Sequence, residues 1–532
     1  MVEVNRHNFE EHLNQIQYDL NKCAYYSVDC EFTNLPTDFD VENSVFDGGD
    51  DRYAKIRGKI SGCVILQVGL TPFIFNRDLN HYKASLYKFY IFPNDFGPLN
   101  QFVVFKASTV RFLRDNKFDF NKGFYDGITC LNKTQEREIK SEIESGKLTH
   151  SLIEAVTYDE YRCITKLSSE IGHWYINCTQ GESRQVPCKK DDHNYNYLLH
   201  DEIRTRFPKL WTFQETSEIV LVKNVGEVDR KKFEFDKNDI KEKILDSLLG
   251  FSKVYQMMVE CKKPLVGHNL FIDLLTMYNQ FYDELPRSFS EFKSELHRLF
   301  PHIYDTKFMS YEIKKMSKKD ALENNSLGNL YNYYRDKNNV FHGPRIVFDS
   351  GIYDNVNDQH MHDAGWDAYA TGYCFMKLCH TVVTKNNFND PNKIWSSVEH
   401  LKRVEFLENR INLPRARISY LNLVGPEPRT TRPPLLFLEA VRSSKCDILK
   451  LNQILRKHSN IHIKTVSPSS AILAAANYTS YKEVLRDINE HKDFRIEKYS
   501  VLKHHKFIKP LILAGIVIPT VLTFWITVKN FR

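Results

Sequence analysis

Apolar residues near the start of the chain recur at helical spacing. Phe9, Leu13, Ile16 and Leu20 share one face, and Asn8 and Glu11 stand three apart, as N-cap and N3 residues do. This predicts an amphipathic helix, and the segment has no apolar region of the kind a signal peptide carries. From Tyr25 the period changes. YYSVDCEF, CVILQVGLTPFIF and KFYIFP are rich in aromatic and β-branched residues and predict strands, so residues 1–128 read as the first part of an α/β core. Residues 129–250 open on NKTQEREIKSEIESGK and close on GEVDRKKFEFDKNDIKEK. Between these charged flanks lie a helix around 155–172 and an apolar strand at Glu218–Lys223, the pattern of an inserted small α/β module. Residues 251–400 return to apolar helical patterning as the second part of the core. Residues 410–505 then run strand, helix, strand, strand, helix, strand: PLLFLEAV, CDILKLNQILRKH, IHIKTV, SAILAAA, SYKEVLRDINEH and FRIEKYSV.

The last segment differs from everything before it. Pro510 to Val528 is 19 residues without a charge. As a helix rising 1.5 Å per residue it would reach roughly 28 Å, close to the hydrocarbon thickness of a bilayer. Trp525 stands near its far end, Lys503, Lys506 and Lys509 precede it, and Lys529 and Arg532 follow. The expectation is one C-terminal transmembrane helix at 510–528, a tail anchor with the bulk of the protein in the cytosol. Basic flanks on both sides favour the mitochondrial outer membrane over the endoplasmic reticulum.

Composition narrows the class only a little. The 532 residues are 42% hydrophobic and 13% aromatic, which excludes general disorder. The net charge of +6 is compatible with a polyanionic partner without requiring one. Eleven scattered cysteines without a CxxC pair, Cys374 and Cys379 being the nearest late pair, predict free thiols in a reducing compartment rather than a zinc site.

The chemistry lies in carboxylates. Asp29 and Glu31 alternate along YYSVDCEF, so a strand puts both on one face, where like charges repel unless a metal ion sits between them. Alone this is weak, since roughly eight such pairs are expected by chance in a chain of this composition. In PLVGHNLFIDLLTMYNQF an apolar strand (Pro264–Val266) turns at Gly267 and His268 into a helix. Ile272, Leu275 and Tyr278 are its predicted core face, and Asp273 stands among apolar neighbours, where an unpaired acid is costly. In MHDAGWDAYATGYCF, His362 precedes a helix whose first turns carry Asp363 and Asp367.

Taken together, DxE, GHNxxxD and HDxxxD resemble the DEDD exonucleases of the histidine subtype. SVDCEFTNL, LQVGL, FYIFP, FDFNKGFYDGI, LVGHNLFIDLL, DTKFM and HDAGWDAYATGYCF follow the order and spacing of the poly(A)-specific ribonuclease family over residues 10–400, and more weakly over 410–500. The resemblance implies an α/β RNase H-like DEDD exonuclease core and a metal-dependent 3′→5′ exoribonuclease that releases 5′-mononucleotides. It further implies two Mg²⁺ ions, replaceable by Mn²⁺, on Asp29, Glu31, Asp273 and Asp367, with His362 as general base. Phe32 and Leu35 would wedge against terminal bases, and Lys307 would reach a phosphate. Asp363 stands where the family has Glu.

Two accessory regions depart from the family. The insert lacks the Arg-x-x-x-His motif that names the family's small domain, although Arg204 and Arg206 supply charge. The order at 410–505 suggests an RRM-like α+β domain, yet SAILAAA has no aromatic and Thr465 stands where a cap-stacking tryptophan is expected. That sheet is expected to serve packing or a homodimer more than RNA. The anchor and the altered sheet point to the tail-anchored branch that trims piRNA precursors in the germline. Its implied partners are RNA 3′ ends, a Piwi-clade Argonaute and a Tudor-KH adaptor. The alternatives are a membrane-tethered deadenylase of poly(A) messenger RNA and a non-catalytic tether.

Overall fold

The computed structural model describes the chain except residues 35–43, 61, 94–95, 100, 191, 235–239, 317–324, 336–342, 349–360, 386–393, 431, 442–447, 456–460, 476, 492 and 505–532. The stretch 510–528 therefore lies outside the described residues, and among the described ones no helix is long and apolar enough to cross a membrane. The chain forms two compact units: Met1–Thr37 with Lys55–Asn412 and Asn422–Gly425, and Asp38–Ala54 with Leu413–Leu421 and Pro426–Arg532.

The first unit is a mixed α/β structure. Its strands are β1 (Val2–Val4), β2 (Tyr25–Phe32), β3 (Ile65–Asn76), β4 (His81–Ala84), β5 (Tyr87–Tyr90), β6 (Ser183–Pro187), β7 (Leu210–Thr216), β8 (Ile219–Asn224), β9 (Leu265–Gly267), β10 (Ile303–Asp305), β11 (Arg345–Phe348) and β12 (Arg410–Asn412). The main sheet runs β1-β5-β3-β2-β9-β10-β12, with β4 joining β3 to β11. β2 is antiparallel to β3 and parallel to β9. These central strands are buried along most of their length because helices cover both faces, so they read as continuous apolar runs rather than alternating ones. On one face Tyr25 Oη donates to the Gly372 carbonyl in the helix Ala364–Lys385. On the other, Tyr26 Oη donates to the Met258 carbonyl in the helix Phe251–Glu260.

The predicted module around 129–250 holds a three-stranded antiparallel sheet, β6-β8-β7. The helix Tyr158–Tyr175 is opened by a Thr157/Glu160 capping box, and it shares a core with the helix His193–Arg206 and β8 that includes Ile164, Ile171, Leu199, Ile203, Val220 and Val222. The charged flanks fold as the helices Lys133–Ser145, Gly226–Phe233 and Ile240–Leu249. Arg204 is buried: it donates to Thr212 Oγ1 and to the Thr212 carbonyl, and its guanidinium lies 3.7 Å from the centre of the Trp211 ring. Its charge serves the module's own interior.

In the second unit the strands Ile461–Ser467, Ser470–Ala475, Leu436–Ala440 and Phe494–Lys498 pair in that spatial order, all antiparallel. The helices Ile448–Leu455 and Tyr478–Asn489 complete a core of Leu436, Leu438, Leu473, Val484 and Ile488. Phe437, on the strand beside SAILAAA, is stacked by His504 at 4.2 Å.

Two local expectations need correction. The first helix does begin at Phe9, but Asn8 does not cap it: its Oδ1 accepts from the Asn5 N–H and its Nδ2 donates to the Glu3 carbonyl. In the helix Phe271–Phe281, Ile272 is only half-buried, and Phe271, Leu274, Leu275 and Tyr278 form the core face. The cysteines among the described residues are free thiols.

Candidate active site

The site is built where the helix Ala364–Lys385 presses onto β2 and β3. Asp29 pairs with Gly69 across the sheet and Glu31 with Gln67, and a bulge follows Glu31. Gln67 Oε1 accepts the Ala364 N–H, and Ser27 Oγ donates to the Ala368 carbonyl at 2.6 Å. Gly69 has no room for a side chain: a Cβ there would lie 1.8 Å from the Ala364 carbonyl oxygen. The helix therefore brings Asp367 to the strand face that carries Asp29 and Glu31. Carboxylate oxygens of Asp29, Glu31 and Asp367 lie within 4.8 Å of one another, Asp29 half-buried and the other two buried.

The turn into this helix is strained. His362 has φ 68°, a left-handed value unusual for a residue with a side chain. Its N–H donates to Asp367 Oδ2 at 3.0 Å, and its ring packs edge-on against Phe112 with centroids 4.9 Å apart. Asp363 caps the helix, Oδ1 accepting from the Gly365 and Trp366 N–H groups, while Lys88 Nζ donates to Oδ2. Asp367 Oδ1 is buried with no hydrogen-bond partner among the described residues.

Asp273, in the first turn of the helix Phe271–Phe281, stands outside the set of three. It interacts with the thiol of Cys30, the residue between Asp29 and Glu31, and helps to raise the pKa of that thiol. Its field still reaches Asp29 and Glu31. Burial holds the Asp29 carboxyl well above the usual range, and Asp367, Asp273 and Glu31 add to the shift. Burial likewise raises Glu31, with help from Asp367 and Asp273. Asp367 is pushed to about 7 by burial, against the opposing His362 N–H, and Asp273 to about 7 by burial, against a backbone hydrogen bond. Burial moves His362 below its ordinary value, which favours the neutral imidazole.

This donor set fits a hard divalent cation. All donors are carboxylate oxygens, they crowd together against their own repulsion, and one buried oxygen lacks any other partner among the described residues.

The remaining expected site residues are placed less openly. Phe32 ends β2 and is buried at 7% exposure. Lys307 is half-buried, its Nζ donating to the Asn325 carbonyl, and burial lowers its pKa. Leu35 lies outside the described residues.

Asp305, the first residue of DTKFM, is a functional position that motif reading passes over. Fully buried at the end of β10, its Oδ1 accepts from the Asn269 and Lys307 N–H groups, and its Oδ2 from Leu270 and Asn412. It thereby fixes the Gly267–Leu270 turn from which the Asp273 helix departs, where Asn269 has φ 63°. An acid closing the apolar run HIYD was a signal of the kind that singled out Asp273. Asp305→Ala would leave several buried N–H groups without an acceptor. It is expected to lower stability by about 3 kcal/mol in urea unfolding, and a loss below about 1 kcal/mol would contradict that role.

The CAF1 family ribonuclease model matches residues 4–375. The pre-piRNA 3′-exonuclease trimmer of Bombyx mori is 31% identical over 100% of this chain and 99% of its own length. The human poly(A)-specific ribonuclease PNLDC1 is 29% identical over 92% of this chain and 94% of its own, and human poly(A)-specific ribonuclease PARN 26% over 94% and 80%. With the acidic cluster borne on segments inside the matched region, the chain belongs to the CAF1 family of ribonucleases.

Proposed function

We propose that this protein is a metal-dependent 3′→5′ exoribonuclease that trims the 3′ ends of piRNA precursors and releases 5′-mononucleotides. The observation that carries the reading is the end-to-end similarity to a pre-piRNA 3′-exonuclease trimmer, joined to an intact acidic site. Asp29, Glu31 and Asp367, joined by Asp273, would hold two Mg²⁺ ions, which supply a Lewis acid and a water nucleophile at neutral pH.

The chain's own residues supply the rest. His362, with burial favouring its neutral form, accepts a proton from the attacking water as general base. Its left-handed turn and the edge of Phe112 fix the direction of the imidazole. Phe32 and Leu35 bound the terminal bases, and Lys307 would have to leave the Asn325 carbonyl to meet a phosphate. The order of elements at 436–498 and the spatial order of its strands support an RRM-like fold. With Phe437 stacked by His504, its sheet fits packing or homodimerisation better than base stacking. The uncharged stretch 510–528 would anchor the protein in the mitochondrial outer membrane. There a Piwi-clade Argonaute presents the protruding RNA 3′ end and a Tudor-KH adaptor recruits the enzyme.

The test is a sequencing gel of Argonaute-loaded RNA with a mixed-sequence 3′ extension, incubated with membrane-bound protein, adaptor and Mg²⁺. Stepwise shortening to a defined length is expected, sedimenting with mitochondria and falling on the order of a thousandfold in Glu31→Ala. Equal activity in the variant would sink the assignment of the site. Recovery of the activity in the cytosolic fraction would remove the anchor.

A second reading has its own support, since two of the relatives are named poly(A)-specific ribonucleases. A deadenylase would shorten oligo(A) extensions and spare mixed sequences in the same assay.

A further inference from the structure

We propose that Lys88 is a positioning residue for hydrolysis: a buried cation that clamps Asp363 and so holds the His362–Asp367 turn, with Glu3 bracing the lysine from behind. The inference rests on the reading of His362 and Asp367 given above.

The geometry begins in the sheet. Asp29 on β2, Gly69 on β3 and Lys88 on β5 are directly paired across three adjacent strands. Directly paired residues share a face, so Lys88 and Asp29 flank the bare Gly69 beneath the helix start. The Lys88 side chain is only 7% exposed, and its Nζ lies 2.9 Å from Asp363 Oδ2 and 2.7 Å from Glu3 Oε1. Glu3 is itself held, because Lys122 reaches its other oxygen at 2.5 Å.

A cation beside a helix N-terminus opposes the helix dipole, so this placement is unfavourable unless a carboxylate intervenes. Asp363 intervenes, and in doing so it uses both oxygens. Oδ1 caps Gly365 and Trp366, and Oδ2 takes Lys88. One orientation of Asp363 satisfies all three donors. That orientation fixes the residue next to His362, whose left-handed backbone would otherwise relax. His362 passes the constraint on, since its N–H holds Asp367 Oδ2. Neighbouring space is closed as well: a Cβ on Gly365 would lie 3.0 Å from Lys88 Cβ and 3.2 Å from Asp363 Oδ1.

A lysine that merely stabilised the fold would move the melting temperature and leave the kinetic constants alone. The full-length protein carrying Lys88→Met is instead expected to lose about tenfold or more in kcat, with KM for RNA within about twofold. Lys88→Arg should recover much of the loss. The double variant with Asp363→Asn should be no slower than the slower single variant, because both break one link. Mn²⁺ binding followed by electron paramagnetic resonance without RNA reads the same coupling without turnover, and Lys88→Met should weaken it several-fold. If Lys88→Met does not fold, Glu3→Gln tests the brace from its exposed end, with a few-fold fall in kcat at an unchanged melting temperature. Wild-type kcat together with wild-type Mn²⁺ affinity in these variants would overturn the proposal, as would additive losses in the double variant. A wild-type protein that shortens no RNA would sink the nuclease reading instead, and Mn²⁺ binding would then decide on Lys88.

Discussion

Asp29→Asn is expected to remove exonuclease activity by on the order of a thousandfold while making the metal-free protein more stable. Both effects follow from one arrangement. Three carboxylates within 4.8 Å of one another, two of them buried, repel in the absence of a cation. Removing one charge relieves the others. The same repulsion sets an unusual pH dependence. Folding raises the pKa of these acids, so the folded chain holds their protons more tightly than the unfolded chain does. Their contribution to stability is complete below about pH 4, the ordinary aspartate range. It is lost as the pH rises through about 7, where Asp367 and Asp273 ionise. Wild-type protein in EDTA should therefore melt at lower temperature at pH 8 than at pH 6. Mg²⁺ should flatten that slope through binding to the folded state alone. Asp29→Asn should flatten it without metal, gaining about 1 kcal/mol at pH 8, which is on the order of one degree in a chain of this length. Differential scanning fluorimetry across pH 5–8 decides the matter. A wild-type melting temperature that climbs with pH in EDTA would show that the acids are not crowded as described.

How far the sequence alone reached depends on the range of the interaction. YYSVDCEF forms β2 from its first to its last residue, because aromatic and β-branched alternation is a local property. The helices bearing Asp273 and Asp367 likewise follow from local periodicity and from acids set among apolar neighbours. That spacing could not say that Asp367 would join Asp29 and Glu31 in one cluster while Asp273 stood outside it. Which face a helix covers is settled by chain crossover, not by its own residues. Lys88 and Asp363 are 275 positions apart, and Asp305 acts on backbone N–H groups of segments 36 and 107 residues away. No periodicity links such partners. The arginines of RTRFP show the converse, since a basic cluster looks the same in sequence whether it faces RNA or, like Arg204, lies over a buried tryptophan. Lys307 and Phe32 teach the same caution: one is engaged by a backbone carbonyl and the other is largely covered.

The largest effect expected from the smallest change is at Gly69. Gly69→Ala adds one methyl group, and it would lie 1.8 Å from the Ala364 carbonyl oxygen, 2.3 Å from its carbon and 2.7 Å from the Gly365 nitrogen. All three are backbone atoms, so no rotamer change can clear the clash. The start of the helix must lift by an ångström or more, taking Asp363 and Asp367 with it. Overpacking of this kind costs about 1–3 kcal/mol. A shift of about 1 Å in a catalytic group costs on the order of a hundredfold in rate, so activity should fall further than the loss of stability explains. Gly123→Ala is the matched control. It lies within the helix Phe120–Asp126, and its added methyl would meet the Phe118 ring at 3.6 Å, an ordinary contact. Replacing a helical glycine there should be neutral or stabilising by up to about 1 kcal/mol, with full activity. Measuring kcat and melting temperature for both variants separates a general intolerance of change from this one close approach. If Gly69→Ala keeps wild-type turnover, the helix does not rest on β3 at that point, and the convergence of Asp29, Glu31 and Asp367 loses its structural cause.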